Sequence, residues 1–358
     1  MQAAILLLQL AVIIIAARLF GLLFQRLRQP AVIGEMVAGI ALGPSLFGYL
    51  FPDQHAALFP DQSRFALTVI AQTGVILFMF VVGTRLELDV FVRHSRAIVA
   101  IAATGIVVPF ALGAGLAVVL YDAFATPSIP RLPFILFLAT AMSVTAFPVL
   151  ARIIVERRLD GTVPGNTALV CAAINDFAAW VLVASLATFV AGDRTPVSLA
   201  VHGVFVAFAT GVVCAILLPR VVTFAVVVEA PASKLLLPVF FALTGLRTDL
   251  RLLAAGNASW LWCAAIVITA TAGKLGGTAV AARWAGMSRA DALTLGALMN
   301  TRGLMELVVL NIGYELGLLP PSVFAMMVVM ALVTTCAAGP LVNRWSVSYR
   351  KSSALFAP

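Results

Sequence analysis

The chain has 358 residues, of which 62% are hydrophobic and 11% charged, and its mean hydropathy is +1.09. A soluble domain is about half apolar and a quarter charged, so these figures exclude a soluble globular protein and place the chain in a bilayer. The formal charge of +8 lies in short loops between apolar runs, which fits membrane topology and excludes nucleic acid as a partner.

In chain order, the apolar runs predict about eleven crossings of a ~30 Å hydrocarbon core. They cover residues 3–24, 31–49, 64–84, 97–120, 133–155, 163–190, 196–218, 235–246, 258–282, 290–314 and 321–343. The first run lacks a basic leader and exceeds a signal-peptide core, so it is expected as a retained helix. The run 235–246 is too short to span unless extended at either end.

Basic residues should fall in alternate loops on the cytoplasmic side. Arg26 and Arg28 follow the first run, then Arg85, Arg93 and Arg96 the third, and Arg152, Arg157 and Arg158 the fifth. Arg220 and Lys234, Arg283 and Arg289, and finally Arg344, Arg350 and Lys351 continue the alternation. The intervening loops carry Asp53, Asp61, Asp122, Asp193 and Glu315. Arg247 and Arg251, around Asp249, are the one departure. The pattern puts the N-terminus outside and the C-terminus in the cytoplasm.

Two runs are interrupted in a similar way. In ATAMSVTAFPVLARII, residues 139–154, Pro148 follows a cluster of small hydroxyl residues. In LGALMNTRGLMELVVLN, residues 295–311, the interruption is Asn300, Thr301, Arg302 and Gly303. Proline removes a backbone bond and disfavours helix before it, and glycine loosens the chain, so both runs predict broken helices. They cross in opposite directions and each is followed by one more span, which is the layout of an inverted repeat.

Ionisable residues inside or at the edge of spans are Glu35, Asp176, Lys274, Arg302 and Glu306. Arg302 and Glu306 stand at i and i+4 on one helix face, the spacing of a structural ion pair. Glu35, after QPAVIG, reads as helix-start electrostatics or a loop contact. Lys274 either neutralises a core carboxylate, caps broken-helix carbonyls or takes part in transport. Asp176, in CAAINDFAAW, lies 13 residues into its run, about 20 Å at 1.5 Å per residue and hence near mid-bilayer. It has no basic residue one turn away, and burial of an unpaired acid favours the neutral form, the property a site exchanging protons for cations requires. Alkali ions take oxygen ligands, so Asn175, Thr145 and Ser143 are candidate partners of Asp176 by chemistry. His202 has no second ligand nearby and reads as structural.

Cys171, Cys214, Cys263 and Cys336 lie singly in apolar runs, without zinc or redox spacing. No HExxH or GxSxG motif and no membrane aspartate pair suggests an enzyme, and no cofactor is expected.

These stretches together resemble the monovalent cation:proton antiporters, in the branch with bacterial sodium or potassium/proton antiporters and plant cation/proton exchangers. The matching segments are QPAVIGEMVAGIALGPSLFG, LFMFVVGTRLELD, SVTAFPVLARII, AAINDFAAW, LLLPVFFALTGLRTDL, GKLGGT and ALMNTRGLMELVVLNIG, in family order. The resemblance implies an all-α membrane fold of inverted repeats with two crossed, discontinuous helices. It implies a core transport domain at 93–195 and 258–345, and a dimerising scaffold at 1–92 with a shortened linker and dimer-domain portion at 196–257. A cytoplasmic tail at 346–358 completes the division. Asp176 corresponds to the family's cation- and proton-binding aspartate, Asn175 to its paired residue, and Thr145 and its neighbours to the unwound part of the first crossing helix. Lys274, Arg302 and Glu306 correspond to charges that support the core, and Glu35 is placed with them.

Within that family an Asn-Asp pair implies electroneutral exchange of Na⁺ or K⁺ for H⁺, and the resemblance implies a homodimer in a bacterial inner membrane. About two crossings of the family's usual 12 to 13 are missing between Asp176 and residue 235. The alternatives within transport are a ligand-gated potassium efflux system or a Na⁺-coupled symporter. The alternative outside transport is a membrane sensor or scaffold that has kept the core.

Overall fold

In hydrocarbon a backbone N–H or C=O finds no water, so each apolar run must close its own hydrogen bonds as helix. The computed structural model describes residues 2–84, 96–159, 161–191, 196–218, 225, 227–254 and 259–346, with side chains for all of these except 2, 3 and 191–202. Arg85, Arg93, Asp193, Arg220 and the tail from 347 lie outside the described residues, as does the side chain of His202.

Every run expected from the sequence appears as helix, and no strand occurs among the described residues. In chain order these are α1 (Gln2–Arg26), α2 (Ala31–Leu42), α3 (Phe47–Leu50), α4 (Pro52–Leu58), α5 (Asp61–Thr84), α6 (Arg96–Phe124), α7 (Arg131–Ser143), α8 (Phe147–Glu156), α9 (Val163–Ala191) and α10 (Pro196–Leu217). There follow α11 (Leu237–Arg247), α12 (Arg251–Ala254), α13 (Ser259–Thr271), α14 (Gly277–Trp284), α15 (Arg289–Met299), α16 (Leu304–Glu315) and α17 (Pro321–Trp345). Wide π turns, Ala232–Leu236 and Ala272–Gly276, lead into α11 and join α13 to α14. Among the described residues nine helices are long and apolar enough to span, and the bent pair α15–α16 makes up to ten. The short run 235–246 is lengthened at both ends into a full span, Val227–Ala254.

Two groups of helices pack among themselves. In one, α2 packs on α1 and α11, and α5 on α10 and α11. These contacts need close backbones: a Cβ on Gly39 would strike the Phe241 carbonyl, and one on Gly211 the Phe80 carbonyl. In the other group α6 packs on α7, α9 and α14, while α15 packs on α9, α14 and α17. Among the nine unbent spans the broken pair α7–α8 is the most buried, 72% of its apolar window against 22% for α1, and the bent pair α15–α16 is buried throughout 294–313. The outer faces carry Leu7, Leu19, Val107, Phe189 and Ile268, more than half exposed, as a lipid-facing surface requires.

The two broken helices cross antiparallel, since α15 packs on α8 and α16 on α7. Each is followed by one long helix, α9 and α17, and each lies beside an earlier one, α6 and α13–α14. The fold is thus an inverted repeat with its breaks brought together at the centre.

Candidate functional site

The first break follows from its residues. Ser143 closes α7, Val144 to Ala146 are extended, and Pro148 stands at the start of α8, where its missing N–H costs nothing. Ser143 Oγ donates to the Thr140 carbonyl at 2.7 Å. The second break opens after Met299, and α15 and α16 are bent by 42° across it.

The breaks bond to each other. Ala146 N–H donates to the Thr301 carbonyl at 3.1 Å, and Thr145 Oγ1 to the Met299 carbonyl at 3.3 Å. Arg302, fully buried, donates through Nη1 to the Ala141 carbonyl at 3.0 Å and through Nη2 to the Met142 carbonyl at 2.6 Å. These carbonyls belong to the last turn of α7, where helical acceptors run out. Nη1 also lies 3.3 Å from Glu306 Oε1, so the i,i+4 ion pair is present and both partners are buried. Thr335 of α17 holds the far side, accepting from Arg302 N–H at 2.9 Å.

Asp176 lies in α9 with 1% of its surface exposed, and neither carboxylate oxygen has a hydrogen-bond partner. The groups facing it are the Phe147 amide at the start of α8 and the Lys274 ammonium. Aligned to satisfy its neighbours, the Asn175 amide donates to the Cys171 and Ala102 carbonyls at 3.1 and 3.2 Å and accepts from Lys274 Nζ at 3.1 Å. That oxygen also stands 3.5 Å from Thr145 Oγ1. Lys274, fully buried in the π turn before α14, donates to the Gly105 carbonyl of α6 at 2.8 Å.

The structure therefore brings Asp176, Asn175, Thr145 and Lys274 together, with Arg302 and Glu306 behind them at the crossing. Ser143 caps α7 beside them. Glu35 stands apart, half-buried on α2 between Arg18 of α1 and Arg152 of α8. Because Ser143 and Thr145 spend their hydrogens on backbone carbonyls, their oxygen lone pairs remain as acceptors. Among the described residues no group of three or more His, Cys, Asp or Glu could hold a metal ion, and the four cysteines are free.

Several participants are not apparent from the sequence pattern. Asn300, in the second break, is fully buried with both amide atoms unpartnered, as is Thr278 Oγ1 beside Gly105. Arg247, the departure from loop alternation, donates to Asn311 Oδ1 at 2.7 Å and Glu315 Oε1 at 2.8 Å, tying α11 to α16. Its charge is thus neutralised locally, as Arg251's is by Asp249 at 2.8 Å, which accounts for basic residues on the wrong side. The available signal was that each arginine lay near an acid the topology places on the same face.

Comparison with known proteins agrees with this fold. A family model described as sodium/hydrogen exchanger, transmembrane, matches residues 12–229 and 197–346, two stretches that overlap at 197–229. The chain is 37% identical to the Na⁺/H⁺ antiporter NhaS4 of Synechocystis, over 92% of this chain and 94% of that one. Their alignment runs over 390 positions, more than the 358 residues here, so the relative has residues without a counterpart in this chain. Cation/H⁺ antiporter 20 of Arabidopsis thaliana is 37% identical over 94% of this chain but 48% of its own length. Among solved structures, the sodium proton antiporter MjNhaP1 of Methanocaldococcus jannaschii superposes with a TM-score of 0.60 over 99% of both chains at 12% identity, which shows a shared fold.

Proposed function

The chain belongs to the sodium/hydrogen exchanger family, and on that premise we propose that it exchanges Na⁺ or K⁺ for H⁺ by competition at Asp176. The observation that carries this reading is the Asp176 carboxylate itself, fully buried beside the unwound segment with both oxygens unpartnered. An empty, charged carboxylate at this depth is costly, and a bound proton or a dehydrated alkali cation each lowers that cost. Only the neutralised site then moves between the two faces, so movement of one ion depends on return of the other. No ATP is needed.

An alkali cation on Asp176 takes further oxygens from Thr145, Ser143 and unwound backbone carbonyls. Asn175 joins that set only when its amide oxygen leaves Lys274. With Asn175 in place of a second acid, the site holds one titrating carboxylate and exchange is electroneutral. Residues 93–195 with 258–345 form the moving core, and 1–92 with 196–257 form the frame on which two copies pair. The N-terminus faces outside and the C-terminus the cytoplasm of a bacterial inner membrane.

Both cations are retained in the proposal because relatives are named for each: Na⁺ in NhaS4, and K⁺ in the K⁺/H⁺ antiporter 1 of Saccharomyces cerevisiae, 29% identical over 93% of this chain and 45% of its own. The test is a preset pH gradient in proteoliposomes. Adding Na⁺, K⁺ or Li⁺ is expected to collapse it without current on a solid-supported membrane. A gradient that survives every cation refutes exchange, and a current that accompanies collapse refutes electroneutrality.

A further inference from the structure

Lys274 is held by an acceptor that an ordinary helix would not offer. In α6 the Gly105 carbonyl should take the N–H of residue 109, but that residue is Pro109, which has none. The proline ring also crowds the carbonyl four residues back. Gly105 therefore presents a free, buried carbonyl oxygen, and Lys274 Nζ donates to it at 2.8 Å.

The facing element is shaped for this contact. Lys274 sits in a π turn, wider than an α turn and common at functional sites. Gly273, just before it, has no side chain, and a Cβ there would lie 2.8 Å from Pro109 Cα. Gly277, one turn on, likewise leaves room for Val108. Two glycines thus let the turn approach the proline, and the ammonium between them reaches Gly105 on one side and the Asn175 oxygen on the other.

We propose that Pro109 is a positioning residue for the exchange site: by leaving the Gly105 carbonyl free it anchors Lys274, and Lys274 so anchored holds Asn175 and stays off Asp176. Without that anchor the next oxygen anion facing the ammonium is Asp176, where it competes with the incoming cation. The role in exchange rests on the reading above, whereas the contact does not.

The experiment uses the full chain with lysine labelled with ¹³C at Cε, in nanodiscs. Only Lys234, Lys274 and Lys351 contribute, and Lys274→Arg identifies the central signal. Pro109→Ala, which returns an N–H to Gly105, is expected to displace the Lys274 signal and leave the other two in place. Gly273→Ala, which pushes the turn off the proline from the opposite side, is expected to displace the same signal and decides the matter if the first variant does not fold. A Lys274 signal unmoved by the folded variants overturns the proposal.

In proteoliposomes Pro109→Ala is expected to raise the apparent KM for the cation about tenfold, the scale of one hydrogen bond to a charged group. It should add nothing in a Lys274→Met background. An equal rise in that background overturns the proposal, because Pro109 would then act without Lys274. Wild-type protein that fails to exchange sinks the transport reading alone, and the lysine signal still tests the contact.

Discussion

Asp176 and Glu306 are acids of similar burial in one core, and their surroundings differ in kind. Glu306 has Arg302 on its own helix face, and Arg302 in turn satisfies the last carbonyls of α7, so that acid belongs to a bonded crossing of two broken helices. Asp176 has two unpartnered oxygens, and its sequence neighbour Asn175 turns away from it towards Lys274 and the Cys171 and Ala102 carbonyls. Burial alone does not distinguish the two acids; what does is that Glu306 has an ion partner on Oε1, although its Oε2 is unpartnered, whereas neither oxygen of Asp176 has one. The crossing holds the breaks in register, and the carboxylate left without partners is free to take a proton or a cation.

The sharpest division between the two regions comes from Asp176→Asn. It should reduce cation-driven collapse of a pH gradient to that of empty liposomes while the melting temperature in detergent stays level or rises, because an uncompensated acid is gone. Arg302→Met should do the reverse, leaving Glu306 without its ion partner and removing the side-chain donors to the Ala141 and Met142 carbonyls, at a cost of about 3–5 kcal/mol, read as a lower melting temperature or loss of folded protein. Equal melting losses for the two variants would break the distinction. Glu306→Gln keeps an acceptor for Arg302, so a smaller loss of about 1–3 kcal/mol is expected, with exchange retained in the folded fraction.

Ser45→Ala probes a contact remote from both regions. Its hydroxyl donates to the Thr248 carbonyl at 2.7 Å and accepts from Leu250 N–H at 3.0 Å. Loss of about 1 kcal/mol with unchanged exchange is expected, measured by denaturant titration and flux together. His55 supplies the smallest effect. Burial against Phe47 and Phe59 and the nearby Arg64 charge lower its pKa below the ordinary 6.5. The unfolded chain then binds the proton more readily, so this contribution to stability is present above pH 6.5 and is lost as pH falls through that range. Melting curves of His55→Gln against wild type should converge at low pH.

Much of this was legible in the residues because membranes allow few solutions. Apolar run lengths marked the helices, Pro148 and the Asn300–Gly303 stretch marked the breaks, and Asp176 was conspicuous as an acid without a basic neighbour. The i,i+4 spacing also anticipated the Arg302–Glu306 pair. What that spacing could not convey was that Arg302 caps another helix, since its carbonyl partners lie about 160 residues earlier and meet it only through the crossing. The anchoring of Lys274 was hidden for the same reason: Pro109 announces a free carbonyl at Gly105, but not which side chain takes it. The run 235–246 looked too short because its helix extends through a π turn and residues of mixed polarity.

Competition at Asp176 is the central claim, and calorimetry of cation binding tests it most directly. Binding of Na⁺ or K⁺ to detergent-solubilised protein is measured in two buffers with different heats of ionisation, at a pH where the site is protonated. The account predicts that wild-type protein releases a proton for each cation bound and that Asp176→Asn binds no cation and releases none. Cation binding by wild type without proton release, or undiminished release from Asp176→Asn, would contradict it.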